Sequence, residues 1–99
     1  MIQETAIITV KPGTEADFEA AVAQARPYFQ ATPGALSFKL SRRIENPQQY
    51  VLSVGWTSVN AHMVDFRESE NYQHWRELVS SYFDGPVEVH HQQEVYTGF

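Results

Sequence analysis

The chain has no cysteine among its 99 residues, which excludes disulfides, a thiolate nucleophile and a cysteine-held iron–sulfur cluster. It also lacks a basic run. Seven Lys and Arg against twelve Asp and Glu leave a net charge of −5, so nucleic-acid binding through phosphate contacts is not expected. No stretch approaches the ~20 apolar residues of a membrane span. The opening MIQETAIITV has neither the basic start nor the unbroken apolar core of a secretory signal. A cytoplasmic protein with no membrane partner is therefore expected. Repeats, low-complexity segments and linkers are absent too, so residues 1–99 are read as a single domain.

The composition is otherwise that of a folded protein, with 42% hydrophobic and 19% charged residues. The aromatic share is high at 13%, and such rings supply large buried area or a ligand surface. They concentrate between Trp56 and Phe83, a stretch that reads as two helical pieces. In the first, Val59, Met63 and Phe66 share a face that also carries His62. Ser69 is a candidate N-cap for the second, whose apolar stripe is Tyr72, Trp75, Val79 and Tyr82, widened by Leu78 and Phe83. Arg76 lies at the edge of that stripe. The side chains directed at the core thus include rings, an imidazole and a guanidinium.

Around this stretch the pattern alternates. Ile2 to Val10 reads as a strand with Ile2, Glu4, Ala6, Ile8 and Val10 on one face. Thr14, three residues before Asp17, predicts a near capping box for a helix bearing Phe18, Ala21, Val22, Ala25 and Phe29, kinked at Pro27. Ala35 to Arg43 is a second strand with Leu36, Phe38, Leu40 and Arg42 on one side, linked through a turn at residues 45–48 to a third, Tyr50 to Thr57. Val87 to Tyr96 is a final strand with Val87, Val89, His91, Gln93 and Val95 together. The order is β-α-β-β-α-β, an α+β ferredoxin-like arrangement with a four-stranded antiparallel sheet. The second sheet face would carry Thr5, Ile7, Thr9, Ser37, Ser53, Gly55 and Thr57. Side chains this small admit a second sheet, and a homodimer through this face is predicted.

Four segments, VKPGTEADF (10–18), PGAL (33–36), VLSVGWTSVNAH (51–62) and FRESENYQHW (66–75), together resemble the antibiotic biosynthesis monooxygenase family, and the likeness covers essentially the whole chain. The resemblance implies a dimeric α+β barrel, with two ferredoxin-like subunits sheet to sheet and one cavity per subunit between sheet and helices. The family includes cofactor-free monooxygenases of polyketide quinols, quinol monooxygenases of general metabolism, heme-degrading monooxygenases and an enzyme of autoinducer breakdown. Heme-degrading members combine a first-strand asparagine, a third-strand tryptophan and a helix histidine. Here Trp56 matches the tryptophan, while Ala6 and Arg76 stand at the other two positions, so heme degradation is disfavoured.

Most oxygenases activate O2 with a metal or flavin, but the sequence has no dinucleotide-binding glycine motif. The adjacent His90 and His91 point to opposite faces of a strand and cannot share one ion, and Glu88, His90 and Glu94 share a face typical of a solvated or interface surface. No metal and no cofactor are expected. A cofactor-free route requires an electron-rich substrate such as a dihydroxy-aromatic, a base, a donor for the developing oxyanion and a dry aromatic cavity. The catalytic candidates are His62 as base, Trp56 through its indole N–H or by stacking, and Arg76 for the anion. Phe38, Leu52, Phe66, Tyr72, Trp75 and His91 are the candidate substrate-binding residues, and His91, on a face with Val87, Val89 and Val95, is equally a second candidate for the base or a core histidine. Each has a structural alternative: a bonded or exposed histidine, a packed ring, a surface ion pair. The expected function is a monooxygenase acting on a small aromatic or quinol-like compound with O2. A non-catalytic binding barrel or an isomerase on the same fold is the alternative.

Overall fold

The computed structural model describes residues 1–99. Its four strands form one antiparallel sheet in the order β2-β3-β1-β4. The central β1 (Ile2–Thr9) pairs with β3 (Gln49–Trp56) on one side and β4 (Glu88–Gln92) on the other, and β2 (Ala35–Arg42) lies at the edge against β3. Two helices, α1 (Glu15–Gln24) and α2 (Arg26–Gln30), follow β1. A π-helical turn (Ala61–Phe66) and α3 (Glu70–Val79) follow β3. This is the predicted β-α-β-β-α-β order.

The core lies between one sheet face and the helices. Ala6, Ile8 and Val10 from the first strand and its end, with Tyr50, Leu52, Val54 and Trp56 from β3, meet Phe18, Ala21, Val22, Ala25 and Phe29 on one side and Trp75 and Val79 on the other. Fully burying each large apolar side chain contributes about 1.5–3 kcal/mol. Phe29 is the hub of the aromatic cluster, with ring centroids 4.4 Å from Phe38, 5.0 Å from Phe66 and 5.1 Å from Trp75.

Local chemistry explains the helix boundaries, and in several places corrects the expectation. Thr14 does not cap α1. Its hydroxyl donates to the Lys11 carbonyl at 2.7 Å, and the Glu15 carboxylate accepts from the Gly13 N–H instead. The kink expected at Pro27 is a full break one turn earlier. The helix ends at Gln24, and Pro27 sits in the first turn of α2, where its missing N–H costs nothing. Ala25 and Phe29 remain buried, so the apolar face continues across the break. Ser69 caps α3 as predicted, its Oγ accepting from the Tyr72 N–H at 3.3 Å, a contact that contributes about 1 kcal/mol.

The first helical piece departs most from its predicted face. Val59 is exposed and Met63 only partly buried, while Ala61, His62 and Phe66 face inward. The wider π turn displaces the inward face by one or two residues relative to an α-helix. In β2 an irregularity between Ala35 and Ser37 puts Ala35 opposite Trp56 and leaves Leu36 exposed rather than beside Phe38. Ser37 Oγ accepts the Gly55 N–H at 3.0 Å at this bulge. A Cβ on Gly55 would stand 2.6 Å from that oxygen, so any larger residue there would displace the Ser37 hydroxyl. The last strand ends at Gln92, shorter than the predicted run to Tyr96. The second face of the sheet carries Thr5, Ile7, Thr9, Ser37, Ser53 and Gly55 in register, as read from the sequence.

Candidate functional site

Between the sheet and the helices lies a cavity of about 330 Å³. Its floor is the inward face of β1 and β3, through Glu4, Ala6, Ile8 and Leu52. Its walls are Phe29, Phe66, Tyr72 and Trp75, and the segment from Phe83 to Val89 borders it on the remaining side. Three further polar side chains line it, namely His62, Arg67 and Arg76.

Strand register assembles the polar floor. Glu4 is the one carboxylate in the inward stripe of β1, and its cross-strand neighbours are Val54 on β3 and His91 on β4. Trp56 lies two residues on from Val54, on the same face. The π turn then lowers His62 over the group, its ring stacked on Trp56 with centroids 5.0 Å apart and planes at 16°. The Trp56 indole N–H donates to Glu4 Oε1 at 2.9 Å. His62 Nε2 lies 3.3 Å from the same oxygen, and His62 Nδ1 lies 2.8 Å from His91 Nε2. Glu4 and His62 are both buried, and His91 is partly so.

Burial dominates the electrostatics. Desolvation raises the Glu4 carboxyl above its ordinary value, opposed by the Trp56 hydrogen bond and by the Arg67 charge. The His62 imidazole is lowered to about 4, first by desolvation and then by His91 and Arg67. The ring is therefore neutral near pH 7. Arg67 leaves its Nε buried with no hydrogen-bond partner, and neither it nor Arg76 enters any of the chain's four ion pairs.

Of the predicted site residues, His62, Arg76, Leu52, Phe66, Tyr72 and Trp75 line this one cavity. Trp56, Phe38 and His91 do not. Trp56 is fully buried on the same sheet face beside the cavity, and its N–H, expected to face a substrate, is taken by Glu4. Phe38 stands behind Phe29 and lines a separate groove between α2 and β2. His91 backs His62 from β4. The ring nitrogens of His62, the expected base, face His91 Nε2 and Glu4 Oε1. Sequence reasoning placed Glu4 on the inward face without a role and passed over Arg67. A lone carboxylate in an apolar β-stripe was the available signal for the first. No group of three or more His, Cys, Asp or Glu side chains is arranged to hold a metal ion, and no helix is long and apolar enough to cross a membrane.

The sequence pattern described as antibiotic biosynthesis monooxygenase matches residues 1–78. The chain belongs to the antibiotic biosynthesis monooxygenase family. A crystal structure named for the same family, from Bordetella bronchiseptica, is 55% identical, with a TM-score of 0.94 over 96% of this chain and 97% of that one. The protein YczJ of Bacillus subtilis (strain 168) is 34% identical over 95 residues, 96% of this chain and all of its own. SnoaB of Streptomyces nogalater, a cofactor-independent oxygenase, superposes with a TM-score of 0.82 over 98% of this chain and 95% of its own. At 20% identity that last likeness shows the shared fold alone. As a family member the chain is monooxygenase-like. Its cavity lies between sheet and helices, where the resemblance had implied one.

Proposed function

We propose that the protein is a cofactor-independent monooxygenase that oxidises a small electron-rich aromatic, of quinol type, with O2. The observation that carries this reading is the cavity itself: aromatic walls over a floor that holds one buried carboxylate, with two guanidiniums free of ion pairs. An aromatic hydroxyl that loses its proton there becomes an anion able to give an electron to oxygen. Arg67 and Arg76 hold that anion, and the Arg67 charge also acts on both Glu4 and His62. Phe66, Tyr72, Trp75 and Leu52 pack the ring and exclude water. Trp56 holds Glu4 from within the core, and the acid–base work belongs to the group it forms with Glu4 and His62.

The direct test is oxygen consumption by the metal-stripped protein with a panel of hydroquinones and polycyclic phenols. Uptake that depends on the protein, survives chelation and falls in an Arg76→Ala variant supports the reading. Thermal stabilisation by the same phenols with no uptake would instead make the protein a binding barrel.

A homodimer through the second sheet face belongs to the same proposal. Thr5, Ile7, Ser37, Ser53 and Gly55 offer a small, semi-polar surface that a second sheet can approach closely. Sedimentation at micromolar concentration is expected to give twice the chain mass of 11.3 kDa. A single-chain mass would remove this part of the proposal.

A further inference from the structure

We propose that Glu4 is the general base of the cavity, with His62 and His91 as positioning residues that hold its carboxylate ionised and aimed at the substrate. This rests on the function proposed above and narrows its acid–base work to one oxygen atom.

The hydrogen-bond directions point to it. Indole N–H is a donor only, so Glu4 Oε1 accepts from Trp56 at 2.9 Å. With Glu4 ionised, the 3.3 Å contact to the same oxygen requires the proton of His62 on Nε2. The neutral ring then has its lone pair on Nδ1, which accepts from His91 Nε2–H at 2.8 Å. With Glu4 ionised, as a base must be before it takes a proton, this is the arrangement that satisfies every contact, and it leaves His62 with no free lone pair for a substrate proton. Glu4 keeps Oε2, which makes no hydrogen bond within the chain, on a residue that lines the cavity.

The surroundings favour a carboxylate in this role. From the four neighbouring elements, the titratable or charged groups facing it are His62 on the π turn, His91 on β4, Arg67 after the π turn, and Tyr72 with Arg76 on α3; β3 presents only Val54 and the Trp56 N–H. Burial raises the carboxyl above its ordinary value, which makes the carboxylate a stronger base, while the indole and Arg67 oppose that rise. In turnover the substrate O–H proton passes to Glu4 Oε2 and leaves a phenolate, which supplies electrons to O2. One oxygen atom bonds to the oxidised carbon as a carbonyl. The other leaves as water, carrying the proton held by Glu4 and the proton of the oxidised C–H. O2 takes up four electrons, and the substrate gives up four.

The test joins kinetics with nitrogen NMR on the full chain. Glu4→Gln keeps the size of the side chain and an acceptor for Trp56 but cannot take a proton. It is expected to lower kcat by about 100-fold or more with KM little changed, and to abolish the acid limb of the pH–rate profile. His91→Ala is expected to shift that limb, and His91→Gln, whose amide can donate to Nδ1, to restore it. In wild-type protein at pH 7, ring-nitrogen shifts should show His62 neutral with its proton on Nε2. Unchanged kcat in Glu4→Gln overturns the proposal, and so does an Nδ1–H tautomer of His62. The two failures separate: wild-type protein that consumes no oxygen removes the oxygenase reading, whereas the tautomer reports on the hold on Glu4 without turnover.

Discussion

Replacing Trp56 with alanine is expected to cost about 3–5 kcal/mol of folding stability, the range for deleting a buried large aromatic. That is a large part of the ~5–15 kcal/mol that holds a typical domain together. Trp56 is the largest of the fully buried side chains, and it touches both halves of the structure. Its ring packs against Phe66 at 5.3 Å and Phe29 at 6.5 Å between centroids, and it stacks under His62. The loss has a second component, because Trp56 gives Glu4 the hydrogen bond that offsets its desolvation. A buried carboxylate that loses a donor costs about 1–3 kcal/mol. Trp56→Phe is intermediate, since it keeps one ring of the packing while removing the N–H. Urea denaturation of the three proteins should therefore rank wild type above the Phe variant and the Phe variant above the Ala variant. The Phe variant should also raise the Glu4 carboxyl further, visible in a carbon-detected titration. An Ala variant as stable as wild type would mean that the Trp56 pocket collapses without loss and that the aromatic cluster does not hold the π turn to the sheet.

The strands were legible because each alternates large and small side chains, and a period of two assigns both sheet faces at once. Ile2, Glu4, Ala6, Ile8 and Val10 emerged on the inward face as read, and Thr5, Ile7 and Thr9 on the other. The features that escaped depend on pairing between distant residues. The displacement of Leu36 follows from the way Ser37 meets Gly55 across the sheet. The bond between Trp56 and Glu4 spans 52 positions and exists only in this β1–β3 register. The π turn defeated the helical reading for a local reason. His62 and Phe66 face inward as expected, but with the wider turn Ala61 joins them while Val59 is exposed and Met63 only partly buried. Of the residues expected at the site, the aromatic Phe66, Tyr72 and Trp75 line one cavity with His62 and Arg76. Its carboxylate, and the direction in which each N–H points, required the register.

Acid is expected to destabilise the fold through His62, and Glu4 should blunt the effect. In the unfolded chain the imidazole takes a proton near its ordinary value of 6.5, whereas in the folded protein it stays neutral down to about 4. Between those values the unfolded state binds more protons, so stability falls as pH falls, by about 3 kcal/mol across the window. Glu4 acts in the opposite sense. Its folded carboxyl is raised above 4.5, so as pH falls the folded state takes that proton first and gains stability. The two are neighbours, and the net slope in the wild-type protein is the difference between them. Glu4→Gln removes the compensating group and leaves His62 buried and neutral. Its stability should therefore fall more steeply than that of wild type between pH 6.5 and pH 4.5, measured by urea midpoints at half-unit steps. His62→Gln should show the reverse and lose the acid slope, since only the Glu4 contribution remains at the site. A Glu4→Gln profile flatter than wild type would reverse the assigned signs and place the acid-sensitive charge outside this cavity. The steeper profile, together with lost turnover, would tie the stability and the chemistry of the site to the same buried carboxylate.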